Sequence, residues 1–204
     1  MSDYGYEYQY DEKYCYPNAN ILKNKLDIHN EEDLSSYERE ITAVRQLELL
    51  NSPPKGEMNF LYLKKLHKML FSEIYDWAGK VRTVNISKGN QFCMVQFIED
   101  YANDVFRKLK DENYLMDCAE EDLPNRLAYY LAEINTIHPF REGNGRTQRL
   151  FVTLLANRIG YDLLFDLTTN QEMIEASDAS FNLNFQPMEE IIKKILVKIE
   201  EKTR

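Results

Sequence analysis

Apolar residues recur at steps of three and four along much of this chain, and no other feature constrains its fold so strongly. One stripe runs through residues 58–75 and contains Phe60, Leu63, Leu66, Leu70 and Ile74. Because an α-helix has 3.6 residues per turn, this spacing places the stripe on one face that packs against a core. Five further groups have the same spacing: Tyr37, Ile41, Val44 and Glu48; Phe97, Tyr101, Val105 and Leu109; Leu127, Leu131, Ile134 and Ile137; Leu150, Leu154, Leu155 and Ile159; and Met188, Ile191, Ile195 and Ile199. The sequence predicts an all-α fold.

Local signals predict several helix ends. The run Ser35-Ser36-Tyr37-Glu38 has the spacing of a capping box, so the first helix is expected to begin near Ser35. Asp122 followed by Pro124 predicts the start of another helix, and Gly160 supplies the residue that ends the next one. His67 borders the stripe of residues 58–75, where a histidine is most often a packing or surface residue.

Residues 80–95 interrupt the helical pattern with two short β-favouring runs. The runs flank the turn residues Lys88, Gly89 and Asn90, and together they predict a β-hairpin. One interpretation is a solvated connection between two helices. The other is a mobile flap whose exposed strand edge pairs with an extended segment of another protein.

The first 34 residues are expected to form a tyrosine-rich arm. Six tyrosines lie within the first 16 residues: Tyr4, Tyr6, Tyr8, Tyr10, Tyr14 and Tyr16. Their alternation suits a strand, but no partner strand is evident, so an irregular arm is favoured. The length of 204 residues fits one compact domain, which we place at residues 35–204 with a core at about 58–160.

Composition argues against several classes of function. A formal net charge of −9 disfavours nucleic-acid binding, although a local cluster of arginine and backbone N–H groups still permits one small phosphate ligand. No apolar run approaches the roughly 20 residues that span a bilayer, and the first residues lack the pattern of a secretion signal. Three widely separated cysteines, Cys15, Cys93 and Cys118, argue against a disulfide framework or a zinc site. We therefore expect a cytoplasmic protein.

One window, residues 138–149, carries groups suited to binding a phosphate chain. It reads His-Pro-Phe-Arg-Glu-Gly-Asn-Gly-Arg-Thr-Gln-Arg and joins two predicted helices. Gly143, Asn144 and Gly145 allow successive N–H groups to converge at the positive end of the following helix, which makes an anion cradle. Arg146 and Arg149 lie three apart on that helix, so both can reach the outer phosphates of a nucleotide.

The same window contains an acid and a base. Glu142 is suited to hold Mg²⁺, which takes one or two carboxylates together with phosphate oxygens. His138 is suited to accept a proton from an attacking hydroxyl near neutral pH. The alternative is an ordinary loop with solvated arginines, but the concentration of these groups in one window favours a site for a triphosphate with Mg²⁺. The sequence patterns of a Walker P-loop and of a dinucleotide site are both absent from the chain.

This window resembles the signature of Fic-domain proteins, His-x-Phe-x-Asp/Glu-Gly-Asn-Gly-Arg-x-x-Arg, at every fixed position. The resemblance implies a Fic fold, a helical bundle with a small β-hairpin flap, and transfer of AMP from ATP to a hydroxyl group of a target protein. It implies that His138 is the general base, that Phe140 anchors the loop and that Glu142 holds Mg²⁺. The nucleotide-binding residues that it implies are Lys88, Gly89, Gly143, Asn144, Gly145, Arg146 and Arg149.

Two comparisons within the family refine this expectation. Members similar to Doc, which phosphorylate their targets, have lysine at the position of Gly145, so Gly145 favours AMP transfer. Many Fic proteins are silenced by a helix with the pattern Ser/Thr-x-x-x-Glu-Gly/Asn, and the two partial copies here are followed by Ile41 and Met173. The resemblance therefore implies a toxin whose inhibitory helix is supplied by a small antitoxin, with DNA gyrase and topoisomerase IV as candidate targets.

Other functions of the same fold stay open from the sequence. The chain could use another donor or run in the other direction, as in phosphocholine transfer or removal of AMP. It could also be an inactive nucleotide-binding module. Ser177, Asp178 and Phe181 follow the motif helix in the region expected for the adenine, and they are weaker candidates than the motif residues.

Overall fold

The computed structural model describes residues 7–8 and 12–199 and confirms the predicted helical fold with a small hairpin. The α-helices in these ranges are α1 (Glu31–Asn51), α2 (Phe60–Phe71), α3 (Ile98–Asp111), α4 (Leu123–Ile137), α5 (Asn144–Arg158), α6 (Asn170–Phe181) and α7 (Gln186–Ile195). The strands are β1 (Glu7–Tyr8), β2 (Ile86–Lys88), β3 (Asn90–Gln91), β4 (Tyr161–Leu163) and β5 (Leu196–Lys198). Within the described ranges, none of these helices has the length and apolarity needed to cross a membrane.

Helix α5 lies at the centre of the core. Its residues 150–156 are buried on every side, because α2, α4 and β4 all pack against it. A helix that is apolar all round is stable only when it is surrounded in this way. The predicted end signal is confirmed, since Gly160 has a φ of 85° just after the helix. The N-terminus of α5 is thereby fixed on the core of the domain.

Helix α1 begins earlier than predicted and buries a different face. Asn30 is its N-cap, with a side chain that accepts a hydrogen bond from Asp33 N, so the predicted capping box at Ser35 is wrong. Val44, one of the residues predicted to form the apolar stripe of this helix, is 54% exposed. The buried face instead contains two polar residues, Glu38 and Thr42. Hydrophobic periodicity could not predict this buried face, because its polar side chains form hydrogen bonds and an ion pair with residues far away in the chain.

The region after α5 contains a helix and a sheet that were not predicted. Helix α6 begins with a capping box formed by Thr169 and Glu172. The last helix was expected to continue to Ile199, but it ends at Ile195 and the chain forms β5, which pairs antiparallel with β4. Ile199 is consequently 47% exposed. The helical spacing of apolar residues continues past the end of α7. This spacing could not predict the strand, because β5 forms by pairing with β4, which is distant in sequence.

The hairpin is confirmed, with shorter strands than expected. Strands β2 and β3 pair antiparallel around Gly89, which has a φ of 71°. Contrary to the expectation of an irregular arm, Glu7 and Tyr8 form β1 and pair with Ser87 and Ile86 of β2. The partner strand was not evident because it lies far along the chain. Three of the alternating tyrosines are outside the described residues: Tyr4, Tyr6 and Tyr10.

Candidate active site

The loop between α4 and α5 is held in place by the side chains at its centre. Phe140 is 1% exposed and stacks on His67 of α2 with the ring centroids 3.8 Å apart. The side-chain amide of Asn144 bonds the backbone of Phe140 twice, accepting from its N–H at 2.9 Å and donating to its carbonyl at 2.8 Å. The side chain of Asn144 is therefore occupied within the loop. Its backbone N–H, at the start of α5, remains suited to bind a phosphate.

Gly143 provides a turn that no other residue could make here. It precedes α5 in the left-handed conformation, with a φ of 79°. A Cβ atom at this position would lie 2.2 Å from Cζ of Phe71, which is fully buried. The backbone of the loop thus approaches an aromatic ring of α2 directly, and this contact sets where the first amides of α5 point.

The predicted base, His138, ends α4 with a φ of 45°, an uncommon conformation for a residue other than glycine. Its ring lies under Phe92 of the hairpin, with the centroids 3.6 Å apart. Nδ1 is 3.2 Å from the carbonyl of Asn135, so in the neutral ring Nδ1 donates and Nε2 is the basic atom. Burial lowers the pKa of His138 to about 3, so the imidazole is neutral at pH 7 but is a weaker base than an exposed histidine.

His67, by contrast, packs against the loop between α4 and α5, as expected for a packing residue. Its Nδ1 accepts from the backbone N–H of Gly79 at 2.8 Å, and its Nε2 lies 3.0 Å from the carbonyl of Glu142. Both ring nitrogens are thus used in one neutral tautomer. Burial lowers the pKa of His67 to about 3 as well.

These two neutral histidines make stability depend on pH. Their folded pKa values of about 3 lie below the ordinary value of 6.5, so between these limits the unfolded chain binds protons that the folded chain excludes. The free energy of unfolding is therefore expected to fall as pH falls, by up to about 1.4 kcal/mol per pH unit for each histidine. Urea denaturation from about pH 7.5 to 4.5, without divalent cations, measures the slope.

Comparison with His138→Ala isolates the contribution of one histidine, because the carboxylates titrate in both proteins. The variant should show a slope shallower by up to about 1.4 kcal/mol per pH unit. Equal slopes in the two proteins would contradict the assignment of a buried neutral His138.

Arg146 is held by α1, and its role at the outer phosphates stays a prediction. Its guanidinium pairs with Glu38 and donates to the hydroxyl of Thr42 at 3.2 Å. Glu38 also accepts a hydrogen bond from the hydroxyl of Tyr75, whose pKa is raised by burial and by the charge of Glu38. Sequence reasoning missed Glu38, because the polar residues on the buried face of α1 leave no apolar stripe that would indicate this face.

Breaking this ion pair is expected to destabilise the fold. The side chains of Arg146 and Glu38 are only 25% and 11% exposed, so Glu38→Gln leaves a partly buried cation with a weakened partner. We expect a loss of about 2 kcal/mol in urea denaturation. A double-mutant cycle with Arg146→Met measures the coupling. The exposed Glu40 on the same helix is the matched control, and Glu40→Gln should change stability by less than about 0.5 kcal/mol.

Arg149 points to a different place from Arg146. It lines a cavity of about 300 Å³ together with Lys88, Gly89, His138 and Gly145. No ion pair or hydrogen bond of Arg149 occurs among the residues that the structure describes. Burial, and then the charge of Arg146, lowers the pKa of Arg149, as expected for a cation that lacks an anion. The cavity therefore contains a partly buried positive charge suited to an anionic ligand.

The far wall of the cavity is formed by α6. Ser177, Asp178 and Phe181, the weaker candidates from the sequence, all line it. The side chain of Asn90, at the tip of the hairpin, donates to Asp178 at 3.1 Å and so joins the hairpin to α6. The hairpin, the motif loop and α6 thus enclose one space.

Comparisons with known proteins agree with this arrangement. A sequence profile of the Fic/DOC family matches residues 58–156. Protein adenylyltransferase VbhT of Bartonella schoenbuchensis is 36% identical over 187 residues, which cover 91% of this chain and 39% of that protein. The "Probable protein adenylyltransferase y4lH" of Sinorhizobium fredii is 34% identical over 184 residues, which cover 89% of this chain and 94% of that protein. The chain belongs to the Fic/DOC family.

A solved structure extends this similarity to the whole fold. The N-terminal Fic domain of a Bartonella quintana effector protein, with bound ADP, matches this chain with a TM-score of 0.88 and 28% sequence identity. The match covers 93% of this chain and 97% of that domain. The structural similarity therefore extends to the helices outside the profile, including α1, α6 and α7.

Three residues around the Fic loop were missed by the sequence analysis. Phe92 covers the histidine, and Asn135 and Gln148 line the cavity from α4 and α5. Nε2 of Gln148 donates to Oδ1 of Asn135 at 3.3 Å, while Oε1 of Gln148 is buried without a hydrogen-bond partner within the described ranges. Asn135 did carry a signal, since it lies one helical turn before His138.

Glu142 fits the role of a magnesium ligand. Oε1 accepts a hydrogen bond from the N–H of Gly143 at 2.8 Å and lies 3.8 Å from the guanidinium of Arg146. Burial, and then the charge of Glu38, raises the pKa of Glu142, and a bound cation would relieve this desolvation. No group of three or more metal-ligating side chains occurs in the described part of the chain, so phosphate and water oxygens would complete the coordination.

Proposed function

We propose that this Fic protein transfers AMP from ATP to a hydroxyl side chain of a target protein. The observation that carries the proposal is the shared cavity, in which Arg149, His138 and the tip of the hairpin meet. Arg149 and the first amides of α5 provide positive potential for a phosphate chain. The hairpin provides a strand edge beside the base, where an extended target segment can add as a further strand.

In the proposed reaction, the target hydroxyl attacks the α-phosphorus of ATP. Nε2 of His138 accepts the hydroxyl proton, a bond forms between the target oxygen and the α-phosphorus, and the bond from that phosphorus to the bridging oxygen breaks. Pyrophosphate leaves with the electron pair of the broken bond. Arg149 compensates the charge on the leaving phosphates.

Glu142 is the residue that would hold Mg²⁺ in this reaction. When bound, the ion would neutralise charge on the phosphate oxygens. The protein's own contribution is to fix the carboxylate, through the N–H of Gly143 and through the hydrogen bond of His67 to the Glu142 carbonyl.

Two labels on ATP test the proposal directly. The purified chain is incubated with Mg²⁺, a bacterial lysate and ATP carrying ³²P at either the α or the γ position. AMP transfer predicts a labelled protein band with the α label alone. Labelling by the γ label alone would indicate phosphorylation and overturn the proposal, including the interpretation of Gly145. The absence of a band with either label would favour an inactive nucleotide-binding module.

A second reaction on the same site keeps the fold but changes the donor or the direction. Phosphocholine transfer and removal of AMP would both use the cavity and His138. Mass spectrometry of the modified target distinguishes them, because addition of AMP, addition of phosphocholine and loss of AMP give three different mass changes. AMP transfer is the first choice because the relatives are named adenylyltransferases.

We further propose that a separate small antitoxin inhibits this chain. The two partial copies of the inhibitory pattern do not reach Arg149: Glu40 is exposed on α1, and Glu172 is used in the cap of α6 and in a pair with Lys194. A glutamate supplied in trans, within Ser/Thr-x-x-x-Glu-Gly/Asn, would pair with Arg149 and block the phosphate site. A synthetic helix with this pattern should inhibit labelling, and its Glu→Ala form should not.

The proposed targets are DNA gyrase and topoisomerase IV, and the proposed compartment is the cytoplasm. Three free thiols, Cys15, Cys93 and Cys118, suit a reducing compartment. The target proposal rests on the family resemblance. To test it, the labelling experiment is repeated with purified gyrase and topoisomerase IV in place of the lysate. If the subunits of both enzymes stay unlabelled, the target is another protein.

A further inference from the structure

Arg82 is a buried cation without a carboxylate partner in the described part of the chain. It is 1% exposed, and its guanidinium is bound by three backbone carbonyls. Nε donates to the carbonyl of His138 at 2.8 Å, Nη1 donates to that of Val84 at 2.6 Å, and Nη2 donates to that of Cys93. Burial lowers the pKa of Arg82 to about 10, so the side chain stays charged at neutral pH.

The three carbonyls belong to different parts of the site. Val84 precedes β2 and Cys93 follows β3, so they are the two legs of the hairpin, while His138 ends α4. Two backbone hydrogen bonds connect the same parts of the chain: Arg82 N donates to Pro139 O at 2.8 Å, and Cys93 N donates to Thr136 O at 2.9 Å. One side chain thus joins both legs of the hairpin to the residue that carries the base.

This position also explains how His138 keeps its left-handed backbone. Such a conformation persists only when surrounding contacts hold it. The cation of Arg82 lies where α4 ends and its last carbonyls have no partners from a further helical turn, which is where a positive charge is stabilised. Phe92 belongs to the same hairpin and lies on the His138 ring, so the hairpin is fixed to the base at two points.

We propose that Arg82 is a positioning residue that couples the hairpin to His138, so that the strand edge that receives the target is held in register with the base. This inference rests on the proposed function. Loss of the Arg82 side chain would leave only the two backbone hydrogen bonds and the contact of Phe92 between the hairpin and the end of α4, so the hairpin would be held less firmly against His138. The phosphate site at the start of α5 would stay intact. The effect should therefore appear in kcat and in the KM for the target, and not in the affinity for ATP.

Arg82→Met and Arg82→Lys test the proposal, with Arg126→Met as the matched control. Arg126 is a half-buried arginine, and it bonds Glu112 and Tyr130 away from the cavity. We expect Arg82→Met to lower kcat by about 30- to 100-fold with a change of less than about threefold in ATP affinity. Lysine keeps the charge and one or two bonds, so Arg82→Lys should recover part of the rate. Arg126→Met should keep kcat within about twofold, despite its own loss of stability.

A kcat of Arg82→Met within about twofold of the unsubstituted chain would overturn the proposal. So would a parallel loss of ATP affinity, or an equal loss of rate in Arg126→Met. The histidine ring signals in NMR spectra provide a test that does not need activity. Arg82→Met should shift the signals of His138 and leave those of His29 in place, and an unshifted His138 would contradict the coupling. Absence of labelling by the unsubstituted chain would instead be a failure of the proposed function.

Discussion

Replacing His138 with alanine is expected to lower kcat for AMP transfer by about 10²- to 10⁴-fold, the range associated with removal of a general base. The reason is that Nε2 is the basic atom of the neutral ring, whose other nitrogen faces the carbonyl of Asn135. Binding of ATP should change little, because the phosphate site is formed by Arg149 and the amides of α5. Transfer of the α label to a target measures the rate, and calorimetric titration with ATP measures the binding.

His29→Ala is the matched control for this prediction. His29 is exposed, with 59% of its side chain accessible, and pairs with Asp27 on the surface. The variant should transfer AMP at the rate of the unsubstituted chain. If His138→Ala keeps more than about a tenth of that rate, another group accepts the proton and the assignment of the base is wrong.

Gly143→Ala is expected to cost roughly 3–5 kcal/mol of stability and to abolish ATP binding. Two independent obstacles act at this position: a φ of 79° and a Cβ that would lie 2.2 Å from Cζ of Phe71. Because Phe71 is fully buried, its ring cannot move away without disturbing the core. The loop is then displaced, and with it the first amides of α5. Urea denaturation and ATP titration measure the two effects.

Gly160→Ala separates the two obstacles. Gly160 has a φ of 85°, but no atom lies within 4 Å of the Cβ that alanine would add. This control should therefore show only the conformational cost, about 1 kcal/mol, and should bind ATP normally. Equal losses in the two variants would mean that the contact with Phe71 is relieved at no cost and that this contact does not fix the loop.

Much of the fold could be predicted because it depends on local spacing. Helix α2 and the buried core of α5 follow from apolar residues on one face or on every face of a helix. The hairpin follows from β-favouring runs on either side of Gly89. The predictions failed where a distant partner decided the structure: β1 depends on β2, β5 depends on β4, and the buried face of α1 depends on Arg146 and Tyr75.

The sequence by itself determined the chemistry of the loop. Residues 138–149 contain a histidine, a carboxylate, a glycine turn and two arginines in an order that matches one family, and this pattern could be found because the groups are close in the chain. Only the tertiary structure decided that the two arginines have different surroundings. Arg146 pairs with Glu38 of α1, whereas Arg149 lines the cavity. It also decided that Arg82 and Phe92 fix the hairpin to His138. The physical reason is that a buried charge needs its partner in space, whatever the distance along the chain.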